Sequence, residues 1–209
     1  MKKTALILAA ALLLTLPVSA GAGQQPQEAI RGPMDQAVAI LDNPAYKNAD
    51  KALQQKQRAE LKLIIDPVFD YTEIAKRALA RNWLVFSTDE RREFRDLFTE
   101  FLSNIYLAKI QKAYAGEKIL VTGQDMVAPG KAVVHTKVVL KDGFLPIDYS
   151  VYEKEGGWRI YDVNVEGVSL VKNYRSQFEK ILVNEKPASL IKTLQEKVEK
   201  QRTGDIIED

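Results

Sequence analysis

The chain has 209 residues, with 30 Lys and Arg, 28 Asp and Glu, one histidine and no cysteine. Its formal charge of +2 argues against a nucleic-acid-binding protein, because such proteins usually carry a basic excess. The lack of cysteine excludes disulfides, thiol catalysis and thiolate metal sites, so the hydrophobic core alone must hold the fold together.

The start of the chain has the pattern of an export signal. Two lysines open it, an apolar stretch follows over residues 5–16, and a small-residue cleavage site ends at Ala20, with Ala22 as the alternative. The apolar stretch is shorter than the roughly 20 residues that a membrane-spanning helix needs. We therefore predict a signal peptide over 1–20 and one soluble domain over 21–209.

Apolar residues at helical spacing predict four helices in the first half of the mature chain. The first covers Met34–Leu41 and follows the helix-breaking pair Gly32-Pro33. The second covers Lys51–Phe69, and Pro67 is expected to bend or end it.

Two capping signals start the third and fourth helices. Asp70 and Ser87 are each followed three residues later by a glutamate, as in a capping box. The fourth helix, from Thr88 to about Ala113, has the strongest apolar face in the chain. We predict that it is the central packing helix.

After the fourth helix the apolar period changes to two, and turn signals recur about every ten residues, which indicates strands. The predicted strands form an antiparallel meander over residues 118–127, 131–141, 146–154 and 158–165. A helix capped by Ser169 follows and runs to about Leu182, and a last helix follows Pro187, with a frayed tail from Arg202. The predicted fold class is α+β: a single domain whose helices pack over one face of a four-stranded antiparallel sheet.

Catalytic and metal-binding patterns are weak in this sequence. His135 lies within a predicted strand between Val134 and Thr136, so it is predicted to face solvent rather than to act in catalysis. The Gly130-Lys131 pair lacks the rest of a phosphate loop, and Ser169 lacks the second glycine of a nucleophile elbow. Asp162 lies within a strand and is expected to be partly buried with hydrogen-bond partners. We predict no catalytic residues, no metal and no cofactor.

Residues 157–169 carry a family resemblance. Their order of Gly-Trp-Arg, Tyr-Asp-Val and Glu-Gly-Val-Ser, followed by a helix, resembles the MlaC-like family of periplasmic phospholipid-binding proteins, also called toluene-tolerance proteins. Weaker motifs at 69–71, 80–83 and 94–106 fall in the expected order. The resemblance implies an apolar cavity between helices and sheet that holds phospholipid tails, with the head group at its mouth.

The resemblance also implies a place of action and partners. The protein would be a periplasmic shuttle between an inner-membrane ABC transporter complex and an outer-membrane lipoprotein and porin complex. Such a system maintains the lipid asymmetry of the outer membrane. We predict that the shuttle is monomeric and binds phospholipid as its ligand.

The predicted contacts divide into apolar and basic residues. Apolar residues expected to face between the layers are the predicted lipid-binding set: Val68, Ile74, Leu79, Phe94, Phe98, Phe101, Ile105, Val138, Tyr149, Val151, Tyr161, Val163, Val168 and Val171. Basic residues on two helices are candidates for contacts with the head group or a partner, with a solvated helix face as the alternative: Lys76, Arg77, Arg81, Lys172, Arg175 and Lys180.

Two other function classes remain open at this point. A small α+β cone enzyme would use Asp162 or Tyr161 as a base or oxyanion donor on an apolar substrate. A periplasmic adaptor or chaperone would instead receive a protein segment in an apolar groove. Turnover with a bell-shaped pH dependence would favour the enzyme, and co-purified peptide would favour the adaptor.

Overall fold

Helices make up most of the structure, a computed structural model that describes residues 25–203. The α-helices are α1 (Pro26–Leu41), α2 (Lys51–Ile65), α3 (Tyr71–Leu79), α4 (Thr88–Ala113), α5 (Leu170–Leu182) and α6 (Pro187–Thr203). Short 3-10 turns occupy Pro44–Tyr46, Asp66–Val68 and Ala80–Leu84. Across residues 25–203, no helix is long and apolar enough to cross a bilayer. The predicted signal peptide lies outside the described residues.

The sheet is an antiparallel meander with its strands in chain order. They are β1 (Ile119–Ala128), β2 (Lys131–Leu140), β3 (Gly143–Lys154), β4 (Gly157–Val165) and β5 (Val168–Ser169). The prediction of four strands was therefore wrong, because the sheet has five. Glu166 and Gly167, with φ of 50° and 85°, make a tight turn that folds Val168 back opposite Val165. A two-residue strand is too short to show an alternating pattern.

Helix α1 is longer than predicted. It begins at Pro26 and continues through Pro33, whereas the sequence suggested a start at Met34. Proline at the first helical position is favourable, but an internal proline costs about 3 kcal/mol. Ala29 and Ile30 are buried against the sheet and offset that cost.

Local signals set the other helix boundaries. Helix α2 ends at Ile65, before the predicted Phe69, because Pro67 lies in a 3-10 turn. Ser87 makes the complete predicted capping box at the start of α4. Asp70 caps α3 through the Glu73 backbone N–H at 2.9 Å. The C-terminal helix α6 extends to Thr203, and the tail beyond it lies outside the described residues.

Two hydrophobic cores lie side by side. The helical core joins α3, α4, α5 and α6 around Phe94, Phe98 and Phe178. The sheet core joins α1 to β2, β3 and β4 around Val134 and Val151. Phe69 packs against both cores and forms a parallel bridge with Ile160 of β4, so it links the helical body to the sheet.

Ala80 stands in a strained backbone conformation at the end of α3, with φ of 48° and ψ of −124°. A side chain in this region costs about 1–3 kcal/mol, whereas glycine adds about 0.4–1 kcal/mol of unfolded-state entropy. We expect Ala80→Gly to raise the free energy of unfolding by about 1 kcal/mol in urea titrations. Ala59→Gly, at an exposed position inside α2, should lower it by about 1 kcal/mol. A loss of stability in Ala80→Gly would contradict the strain.

Candidate functional site

The sheet has an inner face that packs toward α1, and strand register shows which residues share it. Val134 of β2 lies opposite Tyr149 of β3, and Tyr149 lies opposite Val163 of β4. Along the same face, Val138 lies opposite Leu145. These neighbours form a continuous apolar surface across three strands.

This inner face is sealed at one end and accessible at the other. Ala132, Val134 and Val151 have no accessible surface, and they pack with Ala29 and Ile30 of α1. Toward the β2–β3 hairpin, the inner-face residues keep part of their surface accessible: Val138, Leu145, Ile147, Tyr149 and Val163. Apolar side chains that are neither fully buried nor freely solvated are the expected lining of a binding space.

Tyr149 marks the middle of this accessible region. Burial raises the pKa of its phenol, against the opposing effect of a hydrogen bond with Thr136, yet the residue retains accessible surface. Thr136 is itself buried and donates to the Ile147 carbonyl at 2.8 Å. The inner face is therefore apolar except for the hydroxyls of Thr136 and Tyr149, which form hydrogen bonds within the protein.

The structure brings together five of the predicted lipid-binding residues. Val151 belongs to the sheet core, while Val68, Tyr149 and Val163 pack against that core. Val138 shares the same face of the sheet by register. Val68 comes from the 3-10 turn before α3, so the group combines strand and helical elements.

Seven other predicted residues lie in the helical core, away from the accessible face. They are at most 3% exposed and belong to one cluster: Ile74, Leu79, Phe94, Phe98, Phe101, Ile105 and Val171. A cavity of about 30 Å³ remains in this core beside Phe101 and Tyr174. This volume has room for about one or two water molecules, so it does not hold an acyl chain.

The last two predicted residues lie apart from both groups. Val168 is on the two-residue strand β5 and is 63% exposed. Tyr161 lies at the irregularity between β3 and β4, where the Arg77 guanidinium is 4.1 Å from its ring centroid. Residues 161 and 168 thus sit at the rim of the sheet near α3 and α5.

The basic residues of α3 and α5 come together because the two helices pack against each other. Arg77 forms an ion pair with Glu73 at 2.7 Å and stacks on Tyr161. Arg175 donates from Nε to the Arg77 carbonyl at 2.9 Å. These two arginines therefore join α3 to α5 and to the sheet.

The other four cations are more accessible. Arg81, in the 3-10 turn that follows α3, pairs with Glu179 of α5, with 2.7 Å between nitrogen and oxygen. Lys76, Lys172 and Lys180 are exposed. The predicted basic residues thus form one surface region, in which Arg77 and Arg175 join neighbouring elements, Arg81 makes an exposed ion pair and the lysines face outward.

Asp162 has the hydrogen-bond partners that the sequence predicted. Its Oδ2 accepts from the Ser169 hydroxyl at 2.5 Å, and its Oδ1 accepts from the Val171 N–H at 3.0 Å. Ser169 in turn accepts from the Lys172 N–H at 3.0 Å, as the predicted cap of α5. Both carboxylate oxygens of Asp162 therefore hold the start of α5 against β4.

The sequence matches a known protein family over most of its length. A sequence profile described as MlaC protein matches residues 33–196 of the chain. The protein belongs to the MlaC family. The resemblance carried by residues 157–169 is thereby confirmed.

Two similar proteins support the family assignment and the fold. The toluene tolerance protein ttg2D of Pseudomonas putida is 25% identical over 171 residues, which are 80% of this chain and 77% of the relative. A solved structure, the phospholipid-binding protein from Ralstonia solanacearum in complex with a phospholipid, is similar with a TM-score of 0.75 at 20% identity. The match covers 86% of this chain and 99% of that chain. The MlaC-family chain therefore shares the fold of a protein solved with lipid.

A polar cleft of about 360 Å³ opens on another side of this MlaC-family protein. At its base Asp70, 7% exposed, accepts hydrogen bonds from Tyr152 and from Lys154, the latter at 2.8 Å. Burial raises the pKa of Asp70, but the Lys154 and Tyr152 hydrogen bonds outweigh it and leave the pKa below its ordinary value. Sequence reasoning missed this cluster, because nothing local connects residue 70 with the end of β3. Charged residues of both signs also line the cleft, so it does not suit an acyl chain.

His135 lies on the outer face of the sheet, as predicted, with 35% of its side chain exposed. Its Nδ1 is 2.8 Å from Asp148 and its Nε2 is 3.1 Å from Asp125. The hydrogen bond with Asp148 raises the pKa of His135, burial opposes that effect, and Asp125 adds to it. Within residues 25–203, no group of three or more His, Asp or Glu side chains is arranged to hold a metal ion.

The His135 contacts predict a pH dependence of stability. The folded pKa is raised above the ordinary 6.5, so the stabilisation is complete below about pH 6.5 and is lost as the pH rises through the folded pKa. We expect His135→Gln to lower the melting temperature near pH 6, and the difference from the parent to shrink toward pH 9. Lys137→Gln, on the same strand face, should show a constant difference over this range. An equally constant difference for His135→Gln would contradict the prediction.

Proposed function

We propose that this protein is a periplasmic phospholipid-binding shuttle. The acyl tails of the bound phospholipid would lie on the accessible inner face of the sheet, between the strands and the helices that cover it. The observation that carries the proposal is the half-sealed apolar face, which ends in partly accessible Val138, Tyr149 and Val163. A phospholipid bound to a protein of the same fold supports it.

The proposed lining is narrower than the sequence suggested. It consists of Val68, Val138, Tyr149, Val151 and Val163, with Val151 as the sealed floor. The predicted aromatic residues of α4, such as Phe98, fill the helical core instead and support the lining indirectly. Placing a tail among them would require opening a closely packed interior, which is unfavourable.

Hydrophobic transfer energies explain why such a carrier is needed. Each methylene kept from water contributes about 0.8 kcal/mol, so two chains of roughly sixteen carbons would cost on the order of 25 kcal/mol to expose fully. Release into water is therefore negligible. The shuttle must load and unload against a membrane or a membrane-bound partner.

The proposal extends to partners and role. The protein would act as a monomer between an inner-membrane ABC transporter complex and an outer-membrane lipoprotein and porin complex, and so maintain outer-membrane lipid asymmetry. Membership of the MlaC family supports this role. The exposed cations Lys76, Arg81, Lys172 and Lys180 would contact the head group or a partner, while Arg77 and Arg175 join α3 to α5 and to the sheet.

In this proposal the protein has no catalytic activity. Asp162, the base of the alternative cone enzyme, has both carboxylate oxygens engaged in capping α5. Tyr161, the alternative oxyanion donor, is covered on one face by Arg77. These contacts favour structural roles for both residues.

Native mass spectrometry of the protein purified from the periplasm without detergent tests the proposal. We expect added mass that organic extraction resolves into diacyl phospholipids. A mass with no ligand, together with no uptake from phospholipid vesicles, would reject the carrier. Bound peptide in place of lipid would favour the adaptor, and turnover of an apolar substrate would favour the enzyme.

A further inference from the structure

The β2–β3 hairpin projects from the accessible end of the inner face. The pairing of β3 with β4 starts at Ile147, so residues 143–146 of β3 extend beyond the end of β4 by roughly 13 Å. On the other side, β1 starts at Ile119 opposite Val138, and the hairpin turn at residues 141–142 lies past that start. The hairpin tip is therefore a two-stranded ribbon that neither neighbouring strand of the described sheet covers.

This tip carries exposed apolar side chains on both of its faces. Leu140 is 44% exposed and follows Val138 by two residues, which places it on the inner face. Phe144 is 62% exposed and lies opposite Val139 on the outer face. A strand pair in water normally keeps polar side chains on its uncovered face. A tip that is apolar on both faces fits surroundings that are apolar on both sides.

Two valines continue this apolar surface along the rim of the sheet. Val165, at the end of β4, is 36% exposed and lies opposite Ile147 on the inner face. Val168 of β5 is 63% exposed and lies opposite Val165. The rim of the inner face is thus apolar from the hairpin tip to β5, at the end where the proposed acyl site is open.

Charged side chains of both signs border the apolar tip. The Lys137 Nζ lies 5.3 Å from the Phe144 ring centroid, and Lys141 and Asp142 form the hairpin turn. Glu166 lies in the neighbouring turn between β4 and β5. An ammonium beside an exposed aromatic ring suits a membrane interface, where the ring meets acyl chains and the cation meets lipid phosphates. The mixed charges match zwitterionic head groups better than a strongly anionic surface.

We propose that the β2–β3 hairpin inserts its tip, with Leu140 and Phe144, into the surface of a phospholipid bilayer that has zwitterionic head groups. A bilayer covers both faces of a projecting ribbon, whereas a protein groove that receives one face leaves the other in water. The ribbon is long enough to reach the acyl boundary, because interfacial elements bury their apolar side by about 5–10 Å. Insertion would bring the open end of the inner face against lipid, so the inference rests on the proposed function.

The absence of cysteine allows a single labelled site to test insertion. The protein would carry Phe144→Cys labelled with the environment-sensitive dye NBD, and Met126→Cys is the matched control. Met126 is 56% exposed near the β1–β2 turn, at the opposite end of the sheet. With vesicles of phosphatidylethanolamine and phosphatidylcholine, we expect NBD emission to rise roughly twofold or more at residue 144 and to stay unchanged at residue 126. Doxyl groups on the acyl chains should quench the emission at residue 144 alone.

Transfer of a fluorescent phospholipid between vesicles gives a second readout. Phe144→Asp should slow transfer roughly tenfold or more, because a carboxylate at the tip opposes insertion. Phe144→Leu should keep most of the transfer rate, and Met126→Asp should match the parent. Replacing phosphatidylcholine with phosphatidylglycerol should change vesicle binding by less than roughly threefold, since insertion of apolar side chains dominates.

Three results would overturn the proposal. One is unchanged NBD emission at residue 144 with vesicles, and another is equal transfer by the parent and a Phe144→Asp protein of unchanged melting temperature. The third is emission that rises only with membranes from the cell of origin and not with pure lipid, which would assign the tip to a protein partner. The labelled protein reports insertion independently of the stability of Phe144→Asp.

Lipid content separates this inference from the proposed function. After long incubation with vesicles, Phe144→Asp should reach the lipid content of the parent, because the tip changes the rate of loading and not the acyl site. If the parent held no lipid and its tip still entered vesicles, the carrier would fail while the membrane contact stood. If the parent held lipid and its tip stayed out of vesicles, only this inference would fail.

Discussion

Val163→Trp is expected to purify with little or no phospholipid. Val163 lies opposite Tyr149 on the accessible part of the inner face, so an indole there occupies space assigned to the acyl tails. Displacing roughly four methylenes from an apolar site costs about 3 kcal/mol, or more than a hundredfold in affinity. Lipid bound per mole of protein, measured by native mass spectrometry and extraction, reports the change.

A matched substitution on the other face makes this result specific. Val139 of β2 is 39% exposed and lies opposite Phe144, on the outer face of the same sheet. Val139→Trp should retain the parental lipid content. If Val163→Trp also retained it, with an unchanged melting temperature after lipid removal, the proposed lining would be wrong.

Phe98→Ala is expected to destabilise the fold by about 3–5 kcal/mol. Phe98 is 1% exposed and lies 5.4 Å from Phe94 and 5.1 Å from both Tyr174 and Phe178, measured between ring centroids. Removing the ring leaves a void in a core that has little room to collapse. Urea unfolding of the lipid-free protein measures the loss.

Lipid must be removed before that measurement, because a ligand bound only to the folded state adds its own stabilisation. Phe144→Ala, at a position 62% exposed, is the control and should change stability by no more than about 0.5 kcal/mol. The Phe98→Ala protein that remains folded should still bind phospholipid. A small loss of stability combined with a large loss of lipid would place Phe98 in the lining instead.

These two substitutions separate residues that the sequence placed together. Val163 and Phe98 were predicted to line one cavity, since both are apolar and belong to faces expected to meet. The structure puts Phe98 in the helical core, while Val163 packs against the sheet core. The paired lipid and stability measurements therefore test that division directly.

Features that depend on neighbouring residues could be predicted from the sequence. Contacts within a few residues determine three helix boundaries: the start of α4 at Ser87, the cap of α5 at Ser169 and the end of α2 before Pro67. The class of the fold followed as well, because helical and alternating patterns occupy separate parts of the chain. The family resemblance rested on the block at residues 157–169 and on the order of weaker motifs before it, and all of these can be recognised in the sequence alone.

Features that depend on distant contacts could be decided only by the tertiary structure. Burial of Ala29 and Ile30 on the sheet keeps α1 helical through Pro33, against the local signal. Asp70 pairs with Lys154, which is 84 residues away, and no sequence pattern near either residue predicts this contact. An apolar side chain looks the same in sequence whether it fills a core or lines an accessible space. Only packing decides between them, because the surface left uncovered depends on how α1, α4 and the sheet come together.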